Sequence, residues 1–103
     1  MKKIIYYVTE DGKCPFDIWF NKLDKRVKAR VLSRIERLEE GHYGDYKCIA
    51  EDLYELRLNF ASEYRIYFTE QNNIIIMILC AGDKSTQRND IKKAKEIIEN
   101  IKE

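Results

Sequence analysis

Three cationic side chains, a carboxylate and a tyrosine fall within one stretch of this 103-residue chain, at spacings that bring them together. The stretch reads Asp-Leu-Tyr-Glu-Leu-Arg-Leu at 52–58, Tyr-Arg-Ile-Tyr-Phe at 64–68, then an apolar run closing on Gly82-Asp83-Lys84. Side chains alternate across a β-strand, so Leu53, Glu55 and Arg57 share one face while Tyr54, Leu56 and Leu58 share the other. In the next strand Tyr64, Ile66 and Phe68 point one way, and Arg65, Tyr67 and Thr69 the other. Two neighbouring strands then set Arg57 and Arg65 on one polar surface, opposite a core-facing one. Guanidiniums on rigid strands, with Tyr67 beside them and Lys84 after the following strand, make a seat for a phosphodiester. The same alternation also describes a solvated face with cross-strand Glu–Arg pairs, and periodicity alone favours that plainer reading.

The elements that must position these residues can be read along the chain. Lys3 to Val8 is a short β-rich run ended by the turn signal Glu10-Asp11-Gly12. Pro15 suits the first position of a helix, and Phe16, Trp19, Phe20 and Leu23 follow at helical spacing as core residues. A second helix is expected from Asp24, its N-cap, to Glu40, with Gly41 beyond its C-terminus. Leu23, Val27, Val31, Ile35 and Leu38 form its apolar stripe. The opposite side carries the densest basic patch of the chain, which includes Arg30, Arg34 and Arg37 and is a candidate nucleic-acid surface.

Residues 41–51 read as a loop. Strands are expected at about 53–59, 63–68 and 74–81 in an antiparallel meander with short connections. Ile74 to Leu79 has no polar alternate, so that strand is central and buried on both faces, which requires two neighbours. The expectation is an α+β fold with an antiparallel-rich four-stranded sheet in the order first–fourth–third–second, two N-terminal helices on one face and a C-terminal helix. That last helix is expected to start near Ser85 or Thr86, with Asp90 in its first turn. Ile91, Ala94, Ile98 and Ile101 give it an apolar side, part of which could serve a partner.

Composition narrows the class of function. The length suits a single domain over residues 1–103. A formal net charge of +1 excludes binding of nucleic acid by bulk charge alone and leaves room for a local patch. Cys14, Cys48 and Cys80 are scattered, without a CxxC, and no signal peptide is evident, which points to reduced thiols in a cytoplasmic protein. With His42 the one histidine, no zinc-ligand spacing exists and no cofactor is expected. The run Ile74 to Ala81 is too short to span a bilayer.

The order strand, two helices, three strands, helix resembles the RelE/ParE toxin superfamily of type II toxin–antitoxin modules, and within it the HigB-like addiction-module killer branch. The similarity covers the whole chain. It is carried by Gly-Asp-Tyr-Lys at 44–47, Asp-Leu-Tyr-Glu-Leu-Arg at 52–57, Glu-Tyr-Arg-Ile-Tyr-Phe at 63–68 and Gly-Asp-Lys-Ser-Thr-Gln at 82–87, followed by Asp90, Ile91 and Ala94. The resemblance implies a RelE-like fold and a ribosome-dependent endoribonuclease that cuts mRNA. It further implies silencing by a cognate helix-turn-helix antitoxin, through which alone operator DNA would be bound. Carried over residue by residue, it puts the strand arginines at Arg57 and Arg65, the basic position after the last strand at Lys84, and a polar residue opening the final helix at Gln87. Some relatives use histidines near the scissile phosphate, whereas His42 lies outside the matched positions.

Cleavage of RNA through its own 2′-hydroxyl needs a proton acceptor, charge stabilisation on the phosphorane and a proton donor to the 5′-oxygen. Arg57, Arg65 and Lys84 suit the second task without a metal. Lys84 is a candidate acid or base, and Glu55 the other candidate base or a salt-bridge partner of Arg57. Tyr67 is placed to stack on a base or orient the substrate, with Gln87, Arg30 and Arg34 as further RNA contacts. Two other readings stay open. One is a non-catalytic, ParE-like topoisomerase inhibitor. The other is an inactive remnant acting as a regulatory binding module.

Overall fold

A computed structural model describes residues 1–102. The order is β1 (Lys3–Tyr6), α1 (Pro15–Phe20), α2 (Lys25–Glu39), β2 (Tyr46–Ala50), β3 (Leu53–Leu58), β4 (Tyr64–Gln71), β5 (Ile75–Gly82), a 3-10 turn (Lys84–Thr86) and α3 (Gln87–Lys102). The five strands form one mixed sheet in the order β1-β5-β4-β3-β2. β1 runs parallel to β5, and the other neighbours are antiparallel.

The expected four-strand order therefore survives inside a larger sheet. The segment read as a loop supplies a fifth, edge strand, β2, with Tyr46 opposite Leu56 and Lys47 opposite Glu55. Its side chains are exposed or half-buried, so it lacks the apolar alternation that marks a strand from sequence. Pairing with β3 and the aromatic contacts of Tyr46 with Tyr43 and Tyr54 hold it instead.

Local chemistry explains the remaining elements. The Asp24 side chain accepts a hydrogen bond from the Val27 amide at 3.0 Å, and Gly41 takes the left-handed conformation past the end of α2. Asn72 and Asn73 both adopt positive φ between β4 and β5, the requirement of the tight hairpin turn whose hand matches sheet twist. Asp83 caps the C-terminal helical segment, just ahead of the expected start near Ser85 or Thr86. Its carboxylate accepts from both their amides, and the Thr86 hydroxyl returns a contact to the Asp83 amide.

The sheet is covered on both faces. Phe16, Val27, Val31, Ile35 and Leu38 of α1 and α2 pack on Leu56, Leu58, Ile66, Phe68, Ile76 and Ile78. Ala94, Ile97 and Ile98 of α3 pack on Leu53, Tyr67, Leu79 and Cys80 on the other side. The face that bears Glu55, Arg57, Arg65 and Tyr67 is thus not the open polar surface that alternation suggests, because α3 roofs it. A bulge adjusts β5 to this roof. Tyr67 pairs with Cys80 and Phe68 with Ile78, so Leu79 is the extra residue, and Leu79 and Cys80 both join the α3 side.

Candidate functional site

Three cross-strand neighbours end the α3 face of the sheet: Arg57 on β3, Arg65 on β4 and Gly82 on β5. The row behind them is Glu55, Tyr67 and Cys80. Two arginines directly opposite one another repel unless a negative charge lies between them. Glu55 supplies it. The residue is 0% exposed, and its Oε1 lies 3.1 Å from Arg57 Nε while its Oε2 lies 3.6 Å from Arg65 Nε.

Two neutral donors complete the cage around this carboxylate. Tyr67 donates its hydroxyl to Glu55 Oε2 at 3.1 Å, and Gln87 at the start of α3 donates its amide to the same oxygen at 2.9 Å. Burial pushes the Glu55 carboxyl up, but the hydrogen bonds from Gln87, Arg57 and Tyr67, with the charge of Arg65, outweigh burial and hold it below the usual glutamate value. A carboxylate so fully engaged is a weak proton acceptor and a firm anchor. Tyr67 is itself 0% exposed, and burial beside Glu55 raises its phenol, so its ring is closed to stacking on a base.

The guanidiniums extend from this anchor towards solvent. The Arg65 side chain is 12% exposed and that of Arg57 32%. Arg65 Nη1 donates to the Glu63 carbonyl at 2.8 Å, and Glu63 Oε2 lies 3.7 Å from Lys84 Nζ, whose side chain is 67% exposed. Glu63, in a left-handed turn conformation before β4, thus joins the Lys84 turn to the Arg65 strand. Sequence reading passed it over because nothing in its spacing distinguishes it from a loop carboxylate.

Gly82 fixes the approach of α3. A Cβ there would overlap the Asp90 carboxylate and the Thr86 hydroxyl, which bond each other at 2.5 Å. The neighbouring thiol of Cys80 is buried, and its pKa is pushed up to about 12 by burial and by Asp90, which removes it from consideration as a nucleophile at neutral pH.

The two helix arginines have different surroundings. Arg34 donates to the carbonyls of Tyr43, Asp45 and Arg57 at 3.0, 3.4 and 3.2 Å, and a Cβ on Gly44 would press on its guanidinium. Its donors are committed to pinning the segment before β2 against β3, which makes it a structural residue more than an RNA contact. Arg30 is exposed, with its guanidinium carbon 4.1 Å from the centre of the Phe60 ring. His42 is exposed in the turn after α2, its amide donating to the Arg37 carbonyl. Among the described residues no group of three His, Cys, Asp or Glu side chains could hold a metal ion, and no helix is long and apolar enough to cross a membrane.

Residues 18–102, which include every member of this cluster, match the family described as phage-derived protein Gp49-like (DUF891). The chain belongs to the Gp49-like family. The chain is also 42% identical over 87 residues to an uncharacterised protein of Haemophilus influenzae strain Rd, an alignment spanning 84% of this chain and 88% of that relative. The Gp49-like family is commonly associated with toxin–antitoxin modules, and membership is compatible with the toxin of such a module and with an antitoxin as its partner.

Proposed function

We propose that this Gp49-like protein is the toxin of a type II toxin–antitoxin module of the RelE/ParE superfamily, HigB-like branch, and acts as a ribosome-dependent mRNA endoribonuclease. The observation that carries the reading is the pair of guanidiniums set beside a buried Glu55 that accepts from Arg57, Tyr67 and Gln87, with Lys84 and Glu63 at their exposed edge. A surface ion pair needs no buried anchor, whereas a preorganised phosphate clamp does.

In this reading Arg57 and Arg65 bind the non-bridging oxygens of the scissile phosphate and stabilise the charge that builds on the phosphorane. The RNA 2′-hydroxyl attacks phosphorus and gives its proton to the exposed Glu63 carboxylate. The P–O5′ bond breaks, and Lys84 donates a proton to the departing 5′-oxygen, leaving a 2′,3′-cyclic phosphate and a 5′-hydroxyl end. Glu55 and Tyr67 take no part in proton transfer and orient the arginines. The ribosome, by holding the codon, supplies much of the alignment of the attacking hydroxyl.

The test is to incubate the purified protein with translating ribosomes and to map RNA 5′ ends and their chemistry. New ends bearing 5′-hydroxyls within mRNA support the reading. Intact mRNA with growth arrest would support a non-catalytic, ParE-like toxin, and intact mRNA with no arrest an inactive binding module.

A further inference from the structure

A second basic feature adjoins the arginine clamp on its β3 side. A cleft of about 430 Å³, within the size range of small-ligand sites, lies between α2 and the end of β3. Arg30, Arg34 and Arg37 of α2 line one wall, and Arg57, Asn59 and Phe60 the other. Arg57 adjoins both: its carbonyl accepts from Arg34 in the wall of the cleft, and its guanidinium bonds Glu55 in the clamp.

The lining side chains divide by what they are already doing. Arg34 is tied to three carbonyls and serves as wall. Asp45, the carboxylate of the cleft, is bonded by the Asn59 amide at 2.7 Å. Arg30 and Arg37 are exposed and, among the described residues, pair with no carboxylate. Arg30 lies against Phe60, so a planar cation on an aromatic ring stands beside a second free cation. This is the combination that single-stranded nucleic acid uses: cations for successive phosphates and a flat surface on which any base stacks. A groove for an acidic protein segment would need the cations and not the stacked platform.

We infer that this cleft seats the nucleotide flanking the scissile phosphate, its base stacked on the Arg30–Phe60 pair and its phosphate held by Arg37. The inference rests on the nuclease reading for the strand's identity, but its test does not require cleavage. A short fluorescent single-stranded RNA, 2′-O-methylated throughout so that it cannot be cut, is titrated against the full chain by anisotropy over a range of salt.

Arg30→Lys keeps the charge and removes the planar face, and it sits on the exposed side of a helix, where folding is not at stake. It should weaken binding several-fold. Phe60→Leu should weaken it about tenfold, the effect of one lost stacking contact. Arg37→Ala should lower the slope of log affinity against log salt by about 0.7, the value for one single-strand phosphate. An abasic residue at the flanking position should erase the difference between wild type and Phe60→Leu.

Wild-type binding by Arg30→Lys and Arg37→Ala, with thermal melts showing folded protein, would overturn the inference. So would displacement of the RNA by polyglutamate with the same sensitivity to Phe60→Leu, which would mark the cleft as a seat for an acidic protein. If these variants bind like wild type while ribosome-dependent cleavage is intact, the cleft alone fails. If they weaken RNA binding while no cleavage is found, the nuclease reading fails and the cleft stands.

Discussion

At the scale of single residues, the molecule turns on Glu55. Burying a carboxylate is costly unless it is paired and hydrogen-bonded, and here Arg57, Tyr67 and Gln87 donate to it while Arg65 lies 3.6 Å away as an ion pair. Arg65→Ala should consequently do two things. Cleavage on translating ribosomes should fall about 10²–10³-fold, the usual loss for one transition-state donor. Stability should also fall, by about 1–3 kcal/mol, because a buried charge loses part of its compensation. From strand alternation alone the substitution looks like a surface change worth less than about 0.5 kcal/mol, and α3 is the reason it is not. Unchanged cleavage by folded Arg65→Ala would remove Arg65 from the site. The second prediction concerns pH. The Glu55 pKa is lowered in the folded state, so the folded protein binds fewer protons than the unfolded chain around the ordinary glutamate range. Its contribution is present above that range and disappears as pH falls through the folded value. Thermal melts of wild type and Glu55→Gln between roughly pH 7 and pH 3 should show a stability gap that closes as the pH drops. Asp83, lowered chiefly by its bond from Ser85, and Asp90, raised by burial, titrate in both proteins and cancel in the difference. A gap that is constant with pH would mean that the cage does not favour the ionised form.

At the scale of elements, the site is a joint between the ends of β3, β4 and β5 and the start of α3. The β5 bulge brings Cys80 under α3, and Gly82, lacking a Cβ, lets Thr86 and Asp90 close on the strand. The Asp83 cap and the Thr86–Asp90 bond then fix the turn that carries Lys84. Gly82→Ala should overpack this joint and cost about 1–3 kcal/mol, seen as a melting temperature several degrees lower. It should also reduce cleavage, since the Lys84 turn and Gln87 move with α3. A Gly82→Ala protein that melts and cuts like wild type would show that α3 can withdraw without disturbing the clamp.

At the scale of the whole molecule, the two helical layers leave the outer edges of β1 and β2 and the exposed side of α3 free of intramolecular partners among the described residues. The proposed toxin function requires a partner that silences it. Expressed alone, the protein should arrest growth. Co-expression with the product of the adjacent gene should relieve the arrest and yield a stable complex, burying on the order of 1,200–2,000 Å² in total. A folded protein that leaves growth unaffected would count against the toxin reading, whatever its affinity for RNA.

The residue pattern by itself determined the order of the helices and of four of the five strands, the strand faces and the neighbours of the long apolar strand. These depend on short-range periodicity: the alternation at 53–58 and 64–68 puts Glu55, Arg57, Arg65 and Tyr67 on one face, where they are found. The same local signals placed the Asp24 cap and the Gly41 stop. What stands over a face is a long-range fact, and alternation is silent about it. Only the docking of α3 made Tyr67 a buried donor instead of a stacking surface, and Glu55 an anchor instead of a free base. Strand β2 was hidden for a related reason: an edge strand is stabilised by its partner's hydrogen bonds more than by its own composition. The cleft beside Arg57 required the crossing of α2 over the sheet, which sets Arg37 and Phe60, 23 residues apart in the chain, on facing walls. Local spacing decides which way a side chain points, and tertiary packing decides whether water, a helix or a ligand meets it.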